Sequence, residues 1–234
     1  MSKGLPTYKT LEYTITLPIS KTVVSFRPYN VGDERNLIAA QAARDTDVKF
    51  YINNTVNVVQ GAITNGVDIS SLPAVDVRML LLQQRAKSVS EIVEFTYNDN
   101  KVKVNIEELF VSNIRSPEEY KIDIGSGMFI EMRELNFSDE IEASTMVEPG
   151  KEYEVFYSIL INTIKSIYNE EDVWVVGEDI TKEDVKTFIY GIPKEKAQPI
   201  YDFIEKSPAV TANVVVDGKT IPVTDREADF LGSV

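Results

Sequence analysis

Apolar and polar residues alternate along residues 13–17 and again along 22–28, on either side of Pro18-Ile19-Ser20-Lys21, which predicts a β-hairpin with one buried face. The alternation returns at 120–124 and 128–134 around Gly125-Ser126-Gly127, where glycines suit the positive φ angles of a tight loop. After each hairpin the hydrophobic period lengthens to that of a helix. Polar starts at Asn30 or Gly32, and at Asn136 or Ser138, precede Asp-Glu pairs that complement the positive end of a helix dipole. These signals predict helices over 33–44 and 139–147, the second stopped before Pro149-Gly150. Longer helices follow at 48–62, with Phe50, Val56, Val59 and Ile63 at near-helical spacing, and at 151–168, with Tyr153, Phe156, Leu160, Ile164 and Ile167 on one stripe.

Asp68-Ile69-Ser70-Ser71 and Asp179-Ile180-Thr181-Lys182 then read as caps of helices at 74–87 and 182–191. Each half closes on a hairpin: 91–97 with 101–106 around Asn98-Asp99-Asn100, and 210–216 with 219–224 around Asp217-Gly218. A strand at residues 173–176 and a helix at 194–206 occur in the second half alone.

The order of elements therefore repeats, and so do individual residues. Tyr13, Ile15 and Leu17 stand against Tyr120, Ile122 and Ile124, and Arg27, Asn30, Asp33 and Glu34 against Arg133, Asn136, Asp139 and Glu140. The expected fold is α+β, as two tandem pseudo-repeats packed together, each a β-hairpin, about three helices and a β-hairpin. The first unit would be residues 1–112 and the second residues 113–234, with the extra strand and helix in the second.

Composition narrows the chemistry. The 234 residues, 43% of them hydrophobic, suffice for a core, and a formal charge of −13 disfavours contact with nucleic-acid phosphates. With His 0 and Cys 0, the Ser-His and Cys-His nucleophile arrangements are excluded, as are histidine- or cysteine-ligated zinc and disulfides. No apolar run approaches the roughly 20 residues of a membrane span, and the start of the chain lacks a signal-peptide core, so synthesis and folding in the cytoplasm are expected.

The recurring carboxylates Asp33-Glu34 and Asp139-Glu140 could in principle serve glycoside hydrolysis or cation binding, but helix capping is the simpler use. Arg27 and Arg133 could clamp a ligand carboxylate or phosphate, with an internal ion pair as the simpler alternative. The glycines at 125–127 and 218 lack the Lys and hydroxyl residue of a phosphate loop, and Glu107-Glu108, Glu118-Glu119 and Glu170-Glu171-Asp172 lack calcium-loop spacing. No catalytic residue, cofactor or metal ligand is therefore assigned. The run at 77–91 is different: Met79, Leu80, Leu81 and Leu82 exceed what one helix face needs, and Arg85 and Lys87 close its negative end. Such a helix is either sandwiched between layers or covered by a partner. Together with Trp174, which fits a core or an interface, these six residues form the candidate partner surface.

Two stretches carry a family resemblance. Leu17-Pro18, Lys21, Phe26-Arg27-Pro28, Val31, Glu34 and Leu37, followed by Arg85-Ala86-Lys87-Ser88-Val89 and Glu91, resemble the T4-type bacteriophage baseplate hub subunit and hub assembly protein family. The chain departs from that pattern at Ile19-Ser20, where a Ser-Thr-Gly turn is usual, and at Ser90, where glycine is usual. The resemblance implies a non-catalytic protein that binds other phage baseplate hub or tail proteins, as a hub subunit or as an assembly chaperone. It also implies an oligomer within the hub as one option, and a location in the host cytoplasm during assembly or in the tail baseplate of the virion; the charge and the lack of a long apolar run add the expectation of no nucleic-acid and no membrane partner. The competing readings are a carboxylate-dependent cell-wall glycosidase of the tail hub and a non-viral acidic adaptor.

Overall fold

The computed structural model describes residues 8–43, 46–98, 100–146, 150, 152–216, 218–228 and 230. The expected turn residues Asp99, Pro149 and Asp217 lie outside that set, as does Arg44 at the end of a predicted helix. In chain order the elements are β1 (Tyr13–Thr16), β2 (Val23–Phe26), α1 (Val31–Ala43), α2 (Val48–Ala62), α3 (Ala74–Ser88), β3 (Ile92–Tyr97), β4 (Asn100–Asn105), β5 (Phe110–Ser112), β6 (Lys121–Gly125), β7 (Met128–Met132), α4 (Phe137–Thr145), α5 (Glu152–Asn162), β8 (Ile164–Tyr168), β9 (Val173–Val175), α6 (Lys182–Gly191), α7 (Lys194–Glu205), β10 (Ala209–Val216) and β11 (Lys219–Thr224). The fold is α+β, with helices set among small sheets whose paired strands run antiparallel. Two compact units are drawn from the described residues of Met1–Ile69, Arg78–Leu109 and Ala212–Val234, and of Ser70–Val77 and Phe110–Thr211.

In the first unit β1 and β2 pair from Tyr13↔Phe26 to Thr16↔Val23. Their connecting turn has no glycine; Lys21 takes φ 58° and its Nζ donates to the Pro18 carbonyl at 2.7 Å. β2 is met beyond the hairpin by the chain leaving α2, through a Phe26↔Ile63 bridge and a 2.9 Å bond from the Thr64 amide to the Ser25 carbonyl. The α2 start is capped by Asp47, which accepts from the Phe50 amide at 2.9 Å. β3 pairs with β4, and β11 is the neighbour of the distal part of β10. Leu17, Val24, Phe26, Val59, Leu80, Leu82 and Val223 are all buried, each contributing about 1.5–3 kcal/mol where a large side chain leaves water.

The second unit is built on the sheet β6-β7-β8-β9. One cross-strand row, Ile122↔Ile130↔Ile167↔Trp174, traverses all four strands. It belongs to a core completed by Leu160 of α5, Val185 and Ile189 of α6, and Ile200 and Phe203 of α7. The neighbouring row, Phe129↔Tyr168↔Val173, carries a stacked ring pair with centroids 5.3 Å apart. β5 pairs with the start of β10 at Val210↔Val111.

One sequence expectation fails here. The helix predicted over 151–168 ends at Asn162, and residues 164–168 form the strand β8. The Thr163 amide reaches back to the Ile159 and Leu160 carbonyls, closing the last turn, and Ile164, Ser166 and Ile167 then bury themselves in the sheet. Ile164 and Ile167 match helical and extended spacing alike; what decides is pairing of β8 on both edges, which satisfies its backbone where a longer helix would leave β9 without a neighbour and the edge of β7 away from β6 unpaired.

Candidate interaction surface

The residues of the first recurring motif form a corner in the first unit. β2 ends at Phe26, and the next amide, that of Arg27, donates to the Ala62 carbonyl at 2.9 Å as α2 finishes. The Arg27 guanidinium binds Asp33 at 2.5 Å and the Gly61 and Pro28 carbonyls at 3.1 and 3.0 Å. Asp33 in turn accepts from the Asn30 amide at 2.8 Å, while Asn30 Oδ1 accepts from the Asp33 amide at 3.0 Å, a reciprocal cap on α1. Burial pushes the Asp33 carboxyl up, but the bonds from Arg27 and the Asn30 amide outweigh it and hold its pKa below the ordinary value.

The second motif lies on α3 and ties to the first. Ser88 Oγ accepts from the Tyr29 amide at 2.8 Å and donates to the Gln84 carbonyl at 2.6 Å. The fully buried Gln84 accepts from the Tyr29 hydroxyl at 3.2 Å and donates to the Val59 carbonyl at 3.3 Å. Burial, and then the nearby Asp33 charge, raise the Tyr29 pKa, so the phenol stays protonated and keeps that bond. Lys87 bonds Glu91 at 2.8 Å and Glu107 at 2.9 Å, and its Nζ sits 5.9 Å from the Tyr13 ring centroid. Both stretches that carry the resemblance are thus parts of one hydrogen-bonded frame.

A second corner occurs in the second unit. The Arg133 amide donates to the Thr163 carbonyl at 2.7 Å, and its guanidinium binds Asp139 at 2.7 Å and the Glu134 carbonyl at 3.2 Å. Asn136 makes no side-chain cap bond here; Lys182 approaches Asp139 to 3.9 Å instead. Each arginine therefore serves the internal ion pair rather than an open anion clamp. The adjoining acids Asp33 and Asp139 are buried in those pairs, and Glu107 is held by Lys87.

Of the candidate partner residues, Met79, Leu80 and Leu82 are buried within the chain, while Leu81, Arg85 and Lys87 are half-buried. Arg85 Nη1 donates to the Ser90 carbonyl at 3.1 Å, at the position where the resemblance departs from glycine. Trp174 is half-buried at the end of the isoleucine row, packed on the core of the second unit. Large apolar side chains that reach solvent include Val89 just after α3 and Val173 beside Trp174, and also Val31, Ile38, Val48 and Phe50 on α1 and α2 and Met146, Tyr153, Phe156 and Tyr190 on and after α4, α5 and α6. α1 buries only Asp33 and Ala40, so most of its circumference is open.

A polar cluster in the second unit has no counterpart in the sequence reading. Arg115 and Glu134 pair at 2.5 Å with side chains only 6% and 9% exposed, and Tyr120 donates to Glu134 at 2.9 Å. Arg115 also donates to the Phe203 carbonyl and lies 3.7 Å over the Phe203 ring. The only available signal was an isolated Arg115 before Ser116-Pro117. Among the described residues no group of three or more acidic side chains is placed to hold a metal ion, and no helix is long and apolar enough to cross a membrane.

Comparison with known proteins places the chain against a family model. The family model described as T4 bacteriophage base plate protein aligns with residues 10–224, a span that contains both arginine corners, α3 and the four-stranded sheet. No curated protein and no solved structure matches the chain. With the family model covering nearly its whole length, the chain belongs to the T4-type bacteriophage baseplate protein family.

Proposed function

We propose that the protein acts in assembly of the baseplate hub by binding other hub or tail proteins, as a hub subunit or an assembly chaperone, without catalysing a reaction. The observation that carries this reading is the family match over residues 10–224, to which the polar side chains add physical support. The recurring arginines, acids and α3 residues bond to one another, which is what a load-carrying frame needs and a reaction site does not. Partner contact then falls to the exposed apolar residues of α1 and α2 (Ile38, Val48, Phe50), to half-buried Leu81 on α3 and, separately, to half-buried Trp174 on the edge strand β9, while Arg85 and Lys87 remain tied into the frame. An acidic chain of formal charge −13 favours basic partner surfaces and speeds encounter with them.

The same reading treats the chain as a duplicated unit, 1–112 followed by 113–234. Its support is the paired corners, in which an arginine after a strand bonds an aspartate three positions into a helix cap and donates its amide to a carbonyl at the end of the next helix. Deleting the gene should abolish or stall tail formation, with hub components accumulating outside complete tails. Mass spectrometry of virions beside that of assembly intermediates separates the two roles: recovery from virions identifies a subunit, and recovery from intermediates alone a chaperone. Normal tails in the deletion strain would refute the proposal.

A further inference from the structure

The chain that leaves α2 runs beside β2 and adds rungs to the first hairpin. Phe26 bridges Ile63, the Thr64 amide donates to the Ser25 carbonyl at 2.9 Å, and Asn65 Nδ2 donates to the Val23 carbonyl at 2.9 Å. Gly66 then turns the chain at φ 75°, a left-handed conformation that glycine adopts without strain, and a Cβ there would meet nothing within 4 Å. Beyond the turn Gln60 holds the chain again: its side chain donates to the Val67 carbonyl at 2.8 Å and accepts from the Ile69 amide at 3.0 Å. Between these anchors Asn65 and Gly66 are exposed, and the Gly66 amide makes no hydrogen bond among the described residues. Of the asparagines in the chain, only Asn65 precedes glycine.

These features favour a reaction of the pair with itself. The carbon of an asparagine amide is electrophilic, and the backbone nitrogen of the following residue reaches it by closing a five-membered ring. A side chain on that following residue crowds the approach; glycine leaves it open. Here the attacking nitrogen is unbonded and reachable by solvent base, and the amide it attacks is held by one exposed hydrogen bond.

We propose that Asn65 is a site of spontaneous modification in the folded protein, converting to aspartate and isoaspartate through a succinimide shared with Gly66, and that the change releases the Val23 rung. Solvent base takes the Gly66 amide proton, the nitrogen bonds to Asn65 Cγ, and the Cγ–Nδ2 bond breaks as ammonia leaves with a proton from water. Water then adds to either ring carbonyl. Opening at Cγ restores the backbone with an aspartate side chain, whereas opening at the α-carbonyl routes the backbone through Cβ and Cγ. The sum is amide plus water giving carboxylic acid plus ammonia, with no redox step. Either product replaces the donor facing the Val23 carbonyl with a carboxylate, an acceptor that the carbonyl repels, and adds a negative charge to a chain of formal charge −13. Gln60 still holds the chain beyond the turn, so the loosening is local. The inference is independent of the hub role.

The test is incubation of the full chain at mildly alkaline pH, folded in buffer and unfolded in guanidinium chloride, with peptide mapping by mass spectrometry that resolves aspartate from isoaspartate. Residue 65 should react ahead of every other asparagine. Folding should slow it only about 2- to 10-fold, the factor by which one net hydrogen bond protects; reaction from the globally unfolded chain alone would be slowed about a thousandfold or more. Asn65→Gln, whose ring closure needs one more atom, should abolish the product. Asn65→Asp, a change at an exposed site, should reproduce the modified state, with exchange of the Thr64 amide about 2- to 10-fold faster by NMR. Another asparagine reacting first, a slowing beyond the stated range, or the same product in Asn65→Gln would overturn the modification site. Unchanged Thr64 exchange in Asn65→Asp would overturn the release of the rung.

Discussion

The Arg27 corner and the Arg133 corner use the same parts to different depths. At Arg27 the guanidinium spans an aspartate and two carbonyls, and Asn30 and Asp33 cap α1 reciprocally. At Arg133 the cap bond from Asn136 is missing, and Lys182 stands near the aspartate. The strands differ in the opposite sense. After α2 the chain meets β2 through the single Phe26↔Ile63 bridge, whereas after α5 it becomes β8, paired on both edges within four strands. The first corner is therefore held by side-chain polar bonds where its sheet is small, and the second by a larger sheet where its polar bonds are fewer. A shared motif fixes the local geometry; what surrounds it decides which interaction carries the stability.

Truncating the two strands should give the largest contrast. Ile167→Ala, in the buried row of the second unit, is expected to cost about 2–5 kcal/mol, the usual range for a large-to-small change in a packed core. Ile63→Ala, at a half-buried single bridge, should cost about 1 kcal/mol. Chemical denaturation, with hydrogen exchange read unit by unit, measures both. Equal losses would show that β8 adds nothing to its corner.

The arginines should rank the other way. Arg27→Leu strands an aspartate side chain that is 12% exposed and also frees two carbonyls, a loss of about 2–3 kcal/mol. Arg133→Leu leaves Asp139 with Lys182 nearby and should cost about 1–2 kcal/mol. The caps sharpen the same ranking on a smaller scale: Asn30→Ala is expected to lose about 1 kcal/mol, and Asn136→Ala to stay within about 0.5 kcal/mol. Thermal unfolding of the four variants side by side checks the order; a larger effect at either second-unit position would reverse the comparison.

These contrasts also explain what could be read from the chain in advance. Hairpins were legible because their turns announce themselves, as at Gly125 and Gly127, which take φ 84° and 74°. The Arg-Asp corners were legible as paired residues, though their unequal bonding was not, since it depends on Lys182 and on the end of α2, both remote in sequence. β8 was missed because its isoleucines match a helical stripe. The overlooked signal was Asn169, whose Oδ1 accepts from the Glu171 and Asp172 amides and turns the chain between β8 and β9; reading that Asx turn between two β-rich runs yields a hairpin. Arg115 looked like any loop arginine because Glu134 and Phe203, which close over it, are remote in sequence.

The smallest effect is electrostatic and isolates the first corner. With His 0 in the chain, no side chain has an ordinary pKa between pH 5 and 8, so stability should be flat from about pH 5.5 to 8. Asp33 titrates below that plateau. Its folded pKa is depressed from the ordinary 3.8, so the unfolded chain takes up the proton first as pH falls, and the contribution of the carboxylate is fully present above the ordinary value and lost as pH falls through the folded one. Asp33→Asn removes the ionisable group and should lower stability by a constant amount on the plateau. The difference from the parent chain should then shrink below about pH 4, where protonation makes the parent resemble the variant. Denaturation midpoints of both proteins from pH 7 to pH 2.5 measure it. A difference that stays the same through the acid limb would mean that the Asp33 charge does not hold the corner and that the capping geometry alone does.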